Sequence, residues 1–215
     1  LPREVYRDTG VYPIQGPLFS ARQIDEDNDT CIDELVPDYS ILGMVVHKYR
    51  YGAAFLARST RGCVRACRFC GVKHIEPNWC DYIDIKPAVS GIRDQIGDRP
   101  QLLLLDNNVL ASPRLSRITS DIIELGFARG AKVAGRQREV DFNQGLDARL
   151  VNATTIGYLA ELPLKPIRIA YDTIGEAATF EKAVRLVASV GFTDVSNYML
   201  YNFDDSPEDL WKRLH

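Results

Sequence analysis

From residue 53 onward the chain alternates short apolar runs with stretches whose apolar residues recur every three or four positions. That alternation constrains the fold more than any other feature. Continuous apolar runs of strand length mark strands buried on both faces, and such parallel strands need a crossover, usually helical, between them. The spacing predicts strands over 53–57, 101–105, 139–143, 166–171 and 194–201. Helices are expected over 87–96, from Leu115 to a cap at Gly126, and from an Asn152 N-cap to residue 162. Phe180, Ala183, Val184 and Val187 make the stripe of another helix, closed by Gly191, and Ser206-Pro207-Glu208-Asp209 opens a last one. The alternation βαβαβαβαβα defines an α/β class.

The first part of the chain is different. Residues 1–50 show no clear period; Tyr6, Tyr12, Phe19 and scattered Pro and Gly residues suggest an irregular packed extension, with one possible strand at 41–46. Two domains of organisation follow: the extension over 1–50 and the α/β core over 51–215. Leu1 in place of Met is read as a processed or trimmed start. With 46% hydrophobic and 26% charged residues the chain is an ordinary globular protein, not a disordered or collagen-like one. No apolar stretch approaches the roughly 20 residues of a membrane span, and no N-terminal basic-then-apolar signal is present. A cytoplasmic protein without membrane contact is expected.

A net charge of −3 and a pI near 5.7 argue against a nucleic-acid or membrane-surface binder. The average conceals an asymmetry. Seven acids and no base lie between Asp25 and Asp38, which reads as a solvated loop, whereas five bases and no acid lie between Arg58 and Lys73.

Three cysteines sit inside that basic stretch. Five are present in all, Cys31, Cys63, Cys67, Cys70 and Cys80, and an odd number without a secretion signal disfavours a disulfide framework. Cys63, Cys67 and Cys70 form C-x3-C-x2-C. Clustered thiols in a reduced chain point to metal. A zinc site closes with four protein ligands, and Cys80 or His74 would have to complete it. An iron–sulfur cluster held by only three thiolates keeps one iron open, and the basic flanks would offset its negative charge.

With Phe69 just before the last cysteine, and Ser59-Thr60-Arg61-Gly62 before the first, the motif resembles that of the radical S-adenosylmethionine enzymes, in the branch containing methylthiotransferases and cobalamin-dependent members. The resemblance implies a partial parallel (β/α)6 barrel with the cysteine loop after its first strand. It implies a 4Fe–4S cluster on Cys63, Cys67 and Cys70, with S-adenosylmethionine chelating the fourth iron. Reductive cleavage would then give a 5′-deoxyadenosyl radical that abstracts hydrogen from an unidentified substrate. A one-electron donor such as a flavodoxin or ferredoxin is implied as partner. Only five strands are legible, so the barrel lacks its last strand here, as in a fragment or a barrel completed by something else. No second three-cysteine motif is present. The alternative is a zinc-binding structural or interaction module built on Cys63, Cys67, Cys70 and Cys80.

Parallel α/β folds gather function at the carboxyl ends of strands. There the candidates are Asp106, Asn107 and Asn108 after the second strand, where relatives bind the amino group of the cofactor's methionine. Gln144 and Asp147 follow the third strand, and Asp172, a candidate ribose partner, follows the fourth. Asn202 stands where relatives contact adenine, usually near a glycine; Met199 reads as core. Arg149 and Arg168 are candidates for the cofactor carboxylate or for structural ion pairs. Cys31 reads as inert, Cys80 as an inert buried side chain or a fourth, catalytic thiol near the cluster; His47 and His74 receive no catalytic role, and residues 74–77 are placed to shape the pocket.

Overall fold

A computed structural model describes residues 2–10, 35–47, 49 and 54–215. Cys31, Tyr12, Phe19 and nearly all of the acidic stretch lie outside the described residues. A helix over Pro2–Thr9 (α1) stands first. The expected strand at 41–46 is instead a 3-10 helix over Tyr39–Met44, started by Asp38, whose side chain accepts from Ser40 N. Its apolar residues do not form a core: Ile41, Met44 and Val46 are exposed. Only Tyr39 is buried, and its hydroxyl donates to Ala54 O at 2.5 Å and accepts from Leu56 N at 3.0 Å.

The core follows the expected alternation. β1 (Phe55–Ala57) leads through the cysteine loop and a short helix α2 (Val72–Ile75) to α3 (Lys86–Ile96), β2 (Gln101–Leu104) and α4 (Leu115–Glu124). A two-residue hairpin, β3 (Lys132–Val133) and β4 (Arg136–Gln137), precedes β5 (Glu139–Phe142) and β6 (Leu146–Asp147). Then come α5 (Ala153–Leu159), β7 (Ile167–Ala170), α6 (Ala177–Ser189), β8 (Val195–Tyr198) and α7 (Pro207–Leu214). Hairpin apart, every named strand pair is parallel, in two three-stranded sheets ordered β1-β2-β5 and β6-β7-β8.

The sheets meet where Val140 pairs with Leu164, through Lys165 N to Val140 O at 2.9 Å. Further along, β7 takes the brief β6 as its neighbour, with Asp147 opposite Ala170. β6 was not expected from the sequence; it adds a sixth parallel strand to the five read there. The described strands do not close a barrel.

Side-chain alternation divides the two faces. Phe55, Leu102, Leu104, Val140, Phe142, Ile167 and Ile169 join the core with Val89 and Ile92 of α3, Ile118 and Ile122 of α4, Ile156 and Leu159 of α5, and Val187 of α6. Each such buried side chain contributes about 1.5–3 kcal/mol. On the alternate positions, Asp141 of β5 and Arg168 of β7 form a two-pronged ion pair, both bonds 2.8 Å, and Arg168 lies over Tyr198 of β8 at 5.4 Å. Leu103 of β2 lies on this side with Asp141 and is also buried, so the second face mixes apolar and charged residues.

Caps fix where helices begin. Asn152 accepts from Thr154 N and Thr155 N while Thr155 Oγ1 accepts from Asn152 N, and Ser206 with Asp209 repeats the reciprocal pattern at α7. Among the described residues no helix is long and apolar enough to cross a membrane.

Candidate functional site

The cysteine loop begins as β1 ends, and Asp106 ties it down. Asp106 is 1% exposed, and its Oδ1 accepts from Ser59 N (2.9 Å), Ser59 Oγ (2.8 Å), Thr60 N (2.5 Å) and Thr60 Oγ1 (2.8 Å). Burial pushes its carboxyl up, against those hydrogen bonds. The expectation that Asp106 faces a ligand ammonium does not match this placement: the side chain is a staple between the ends of β1 and β2. Its Oδ2 is buried without a partner.

The loop then closes on itself. Arg61 and Cys80 exchange two backbone hydrogen bonds of 3.0 Å, which make the neck of a loop holding Cys63, Cys67 and Cys70. Gly62 takes φ +73°, and a Cβ there would lie 2.7 Å from Asn78 O, so only glycine fits the neck. Cys70 N donates to Cys67 O, folding the second and third cysteines into one turn. All four described cysteines are free thiols of intermediate exposure. Cys80, half-buried, turns its Sγ to Tyr82 O at 3.3 Å. Among the described residues no three His, Cys, Asp or Glu side chains converge on a single ion position.

Glu76, within the segment 74–77 expected to shape the pocket, holds the loop from its far side. Its Oε1 accepts from Arg58 (2.6 Å), and its Oε2 accepts from Gly62 N (2.9 Å) and Asn107 Nδ2 (2.8 Å). A signal was present: Glu76 is the single acid between Arg58 and Cys80, among five bases. Ile75, Glu76, Asn107 and the exposed Gln144 line a cavity of about 600 Å³ along the open edge of β1, with Leu56 and Leu105 in its wall.

On the other side the loop meets β6. Asn108, 3% exposed, directs its Nδ2 to Cys63 Sγ (3.6 Å) and to Asp147 Oδ2 (3.3 Å), and its Oδ1 is buried without a partner. Arg65 N also donates to Cys63 Sγ, at 3.3 Å. Asp147 is gripped by Arg149 through Nε (2.6 Å) and Nη2 (3.1 Å) and by Arg65 Nε (3.2 Å). Burial pushes the Asp147 carboxyl up, but the Arg149 and Arg65 guanidinium groups outweigh it and hold the carboxyl below the usual range. Arg149 reaches Glu176 as well, at 3.2 Å, and its own pKa is raised, chiefly by the bond to Asp147. Arg168, the other arginine considered for a ligand carboxylate, is paired with Asp141 instead.

The last strands complete the ring. Phe69 meets Phe203 edge-on at 5.8 Å, and Arg68 pairs with Asp204 at 2.8 Å, so the cysteine loop touches the segment after β8. Asp172 accepts from Leu200 N at 3.3 Å, and burial raises its carboxyl above the usual value. Met199 is half-buried, not core. Asn202 adopts φ +64°, the left-handed conformation a glycine would take. Arg213, with a side chain 0% exposed, ties these ends together by donating to Tyr171 O, Asp172 O, Leu200 O and Asp205. It was missed by the sequence reading, and nothing in its local sequence distinguishes it from a surface helix arginine. The structure thus brings Cys63, Cys67, Cys70, Phe69, Asn107 and Asn108 to one end of the sheets, with Asp172 and Asn202 on the neighbouring strand ends. No family model matches the chain, and no curated protein matches it.

Proposed function

We propose that the protein is a radical S-adenosylmethionine enzyme, with Cys63, Cys67 and Cys70 holding a 4Fe–4S cluster. The observation that carries the reading is the placement of three free, partly exposed thiols on one tied loop after the first parallel strand, with the polar ends of the later strands around it. The chemistry of the donor set suits such a group, although the three thiols do not converge on one ion position as they stand: Cys63 Sγ already accepts two N–H groups, and Asn108 Oδ1 is a buried acceptor without a donor. When bound, the cluster and S-adenosylmethionine supply a 5′-deoxyadenosyl radical for hydrogen abstraction.

The chain's own residues have separate tasks. Asp106 and Glu76 fix the ends of the loop that carries the thiols. Asn107 Oδ1 and Asn108 Oδ1 are the acceptors offered to an ammonium, a task that passes from Asp106 to its neighbours. Asp172 and Gln144 are acceptors for hydroxyl groups, while Phe69 and Asn202 border the place assigned to adenine. A partial (β/α)6 barrel belongs to the same proposal and is supported by the sequential order of the parallel strands. So does a reducing, cytoplasmic setting, which free thiols favour. A one-electron donor of flavodoxin or ferredoxin type suits the basic stretch from Arg58 to Lys73, where Arg68 and Lys73 are exposed.

Anaerobic reconstitution with iron and sulfide tests the proposal. Iron and sulfide in about equal number, near four each per chain, and a brown chromophore are expected. The chromophore should be lost in Cys63→Ala, Cys67→Ala and Cys70→Ala. One zinc per chain in a colourless protein, lost in Cys80→Ala, would establish the structural zinc site instead.

A further inference from the structure

Asp147 is where three nitrogen-bearing side chains of the site meet. Arg149, Arg65 and Asn108 all donate to its carboxylate, which is 9% exposed. Two of them also reach a cysteine: the Arg65 backbone N–H and Asn108 Nδ2 point to Cys63 Sγ at 3.3 and 3.6 Å. Asp147 lies on β6, the two-residue strand that appears where β7 parts from β5, so this brief strand serves to carry a carboxylate up to the cysteine loop.

We infer that Asp147 is a positioning residue which, itself gripped by Arg149, holds the Asn108 N–H donor against Cys63 and so raises the reduction potential of the cluster that this thiolate helps to carry. The inference rests on the cluster reading above. One-electron reduction makes a thiolate-bearing cluster more negative, and N–H groups aimed at the sulfurs stabilise that state over the oxidised one. The surroundings strengthen the effect, since Asn108 and Asp147 are withdrawn from water and their dipoles are poorly screened. Net charge contributes little: Arg65 and Arg149 face Asp147 and Glu176, two cations against two carboxylates. The direction of the N–H groups, fixed by Asp147, carries the effect.

The distinction is testable on the reconstituted protein by redox titration with mediators, following the reduced cluster by electron paramagnetic resonance. Asn108→Leu removes a donor without changing charge and is expected to lower the potential, reducing the ratio of reduced to oxidised cluster about tenfold at a fixed ambient potential, or 59 mV for one electron. Arg149→Lys keeps the charge but loses the planar fork and is expected to shift in the same direction. Arg149 is on the exposed rim and serves as the second variant should Asn108→Leu prevent folding. Arg185→Gln, in an exposed pair on α6, is the control and leaves the potential unchanged. Equal potentials in wild type, Asn108→Leu and Arg149→Lys, at equal iron content, overturn this inference alone. A wild-type protein that takes up no iron overturns the cluster reading first, and this inference with it.

Discussion

Removing the Asp106 carboxylate tests how the cysteine loop is held. In Asp106→Ala, the hydroxyls of Ser59 and Thr60 can turn to other acceptors, but their two backbone N–H groups cannot. Each buried donor left unsatisfied costs about 1–3 kcal/mol, so the pair amounts to about 2–6 kcal/mol. Against a total stability of about 5–15 kcal/mol for a domain, that is a large share. Asp106→Asn keeps an acceptor oxygen in place and is expected to cost only about 1 kcal/mol. Urea unfolding at neutral pH, read as the change in midpoint at unchanged slope, measures both. An alanine variant within about 0.5 kcal/mol of wild type would refute the staple. A second arm uses pH. Burial raises the folded carboxyl above its ordinary 3.8, so the folded state holds the proton more tightly. The resulting contribution is full below the unfolded value and is lost as pH rises through the folded one. Wild type therefore gains on the non-titrating Asp106→Asn as pH falls from neutral toward 3.8, and a gap moving the other way would contradict the assignment.

Three further substitutions probe the frame around the loop. Gly62→Ala places a Cβ 2.7 Å from Asn78 O at a positive φ and is expected to destabilise by about 2 kcal/mol or more, with iron uptake lost alongside in the reconstitution assay. Arg213→Met leaves three carbonyls and Asp205 without their donor; a loss of about 3–5 kcal/mol is expected in urea unfolding, with faster proteolytic cutting between residues 199 and 206. Asn152→Ala removes the cap of α5 for about 1 kcal/mol in the same unfolding assay and leaves iron binding intact, since its hydrogen bonds stay within residues 150–155.

The alternation of patterns made most of the core legible. Helices at 87–96 and from Leu115 were placed to within a residue or two because each has one apolar stripe packed on the sheets. The strand at 101–105 was plain because β2 lies between β1 and β5 and is covered on both faces. β6 was not legible: two residues hold no period, and its partner Ile169 lies beyond an intervening helix. The run at 41–46 misled for the opposite reason. Its apolar residues are mostly exposed, so no buried face selected an extended conformation, and the Asp38 cap started a turn of helix instead. At the site, the thiol spacing and the polar strand ends could be read directly. The task of Asp106 could not, since Ser59 and Thr60 lie 47 and 46 residues away and only the parallel pairing of β1 with β2 brings them together.

The reaction class itself has a direct assay. The reconstituted protein, reduced by dithionite and given S-adenosylmethionine without oxygen, is expected to form 5′-deoxyadenosine, detected by mass spectrometry, and Cys67→Ala is expected to form none. A wild-type protein that carries the reduced cluster and binds S-adenosylmethionine, yet gives no 5′-deoxyadenosine above the Cys67→Ala background, would contradict the account.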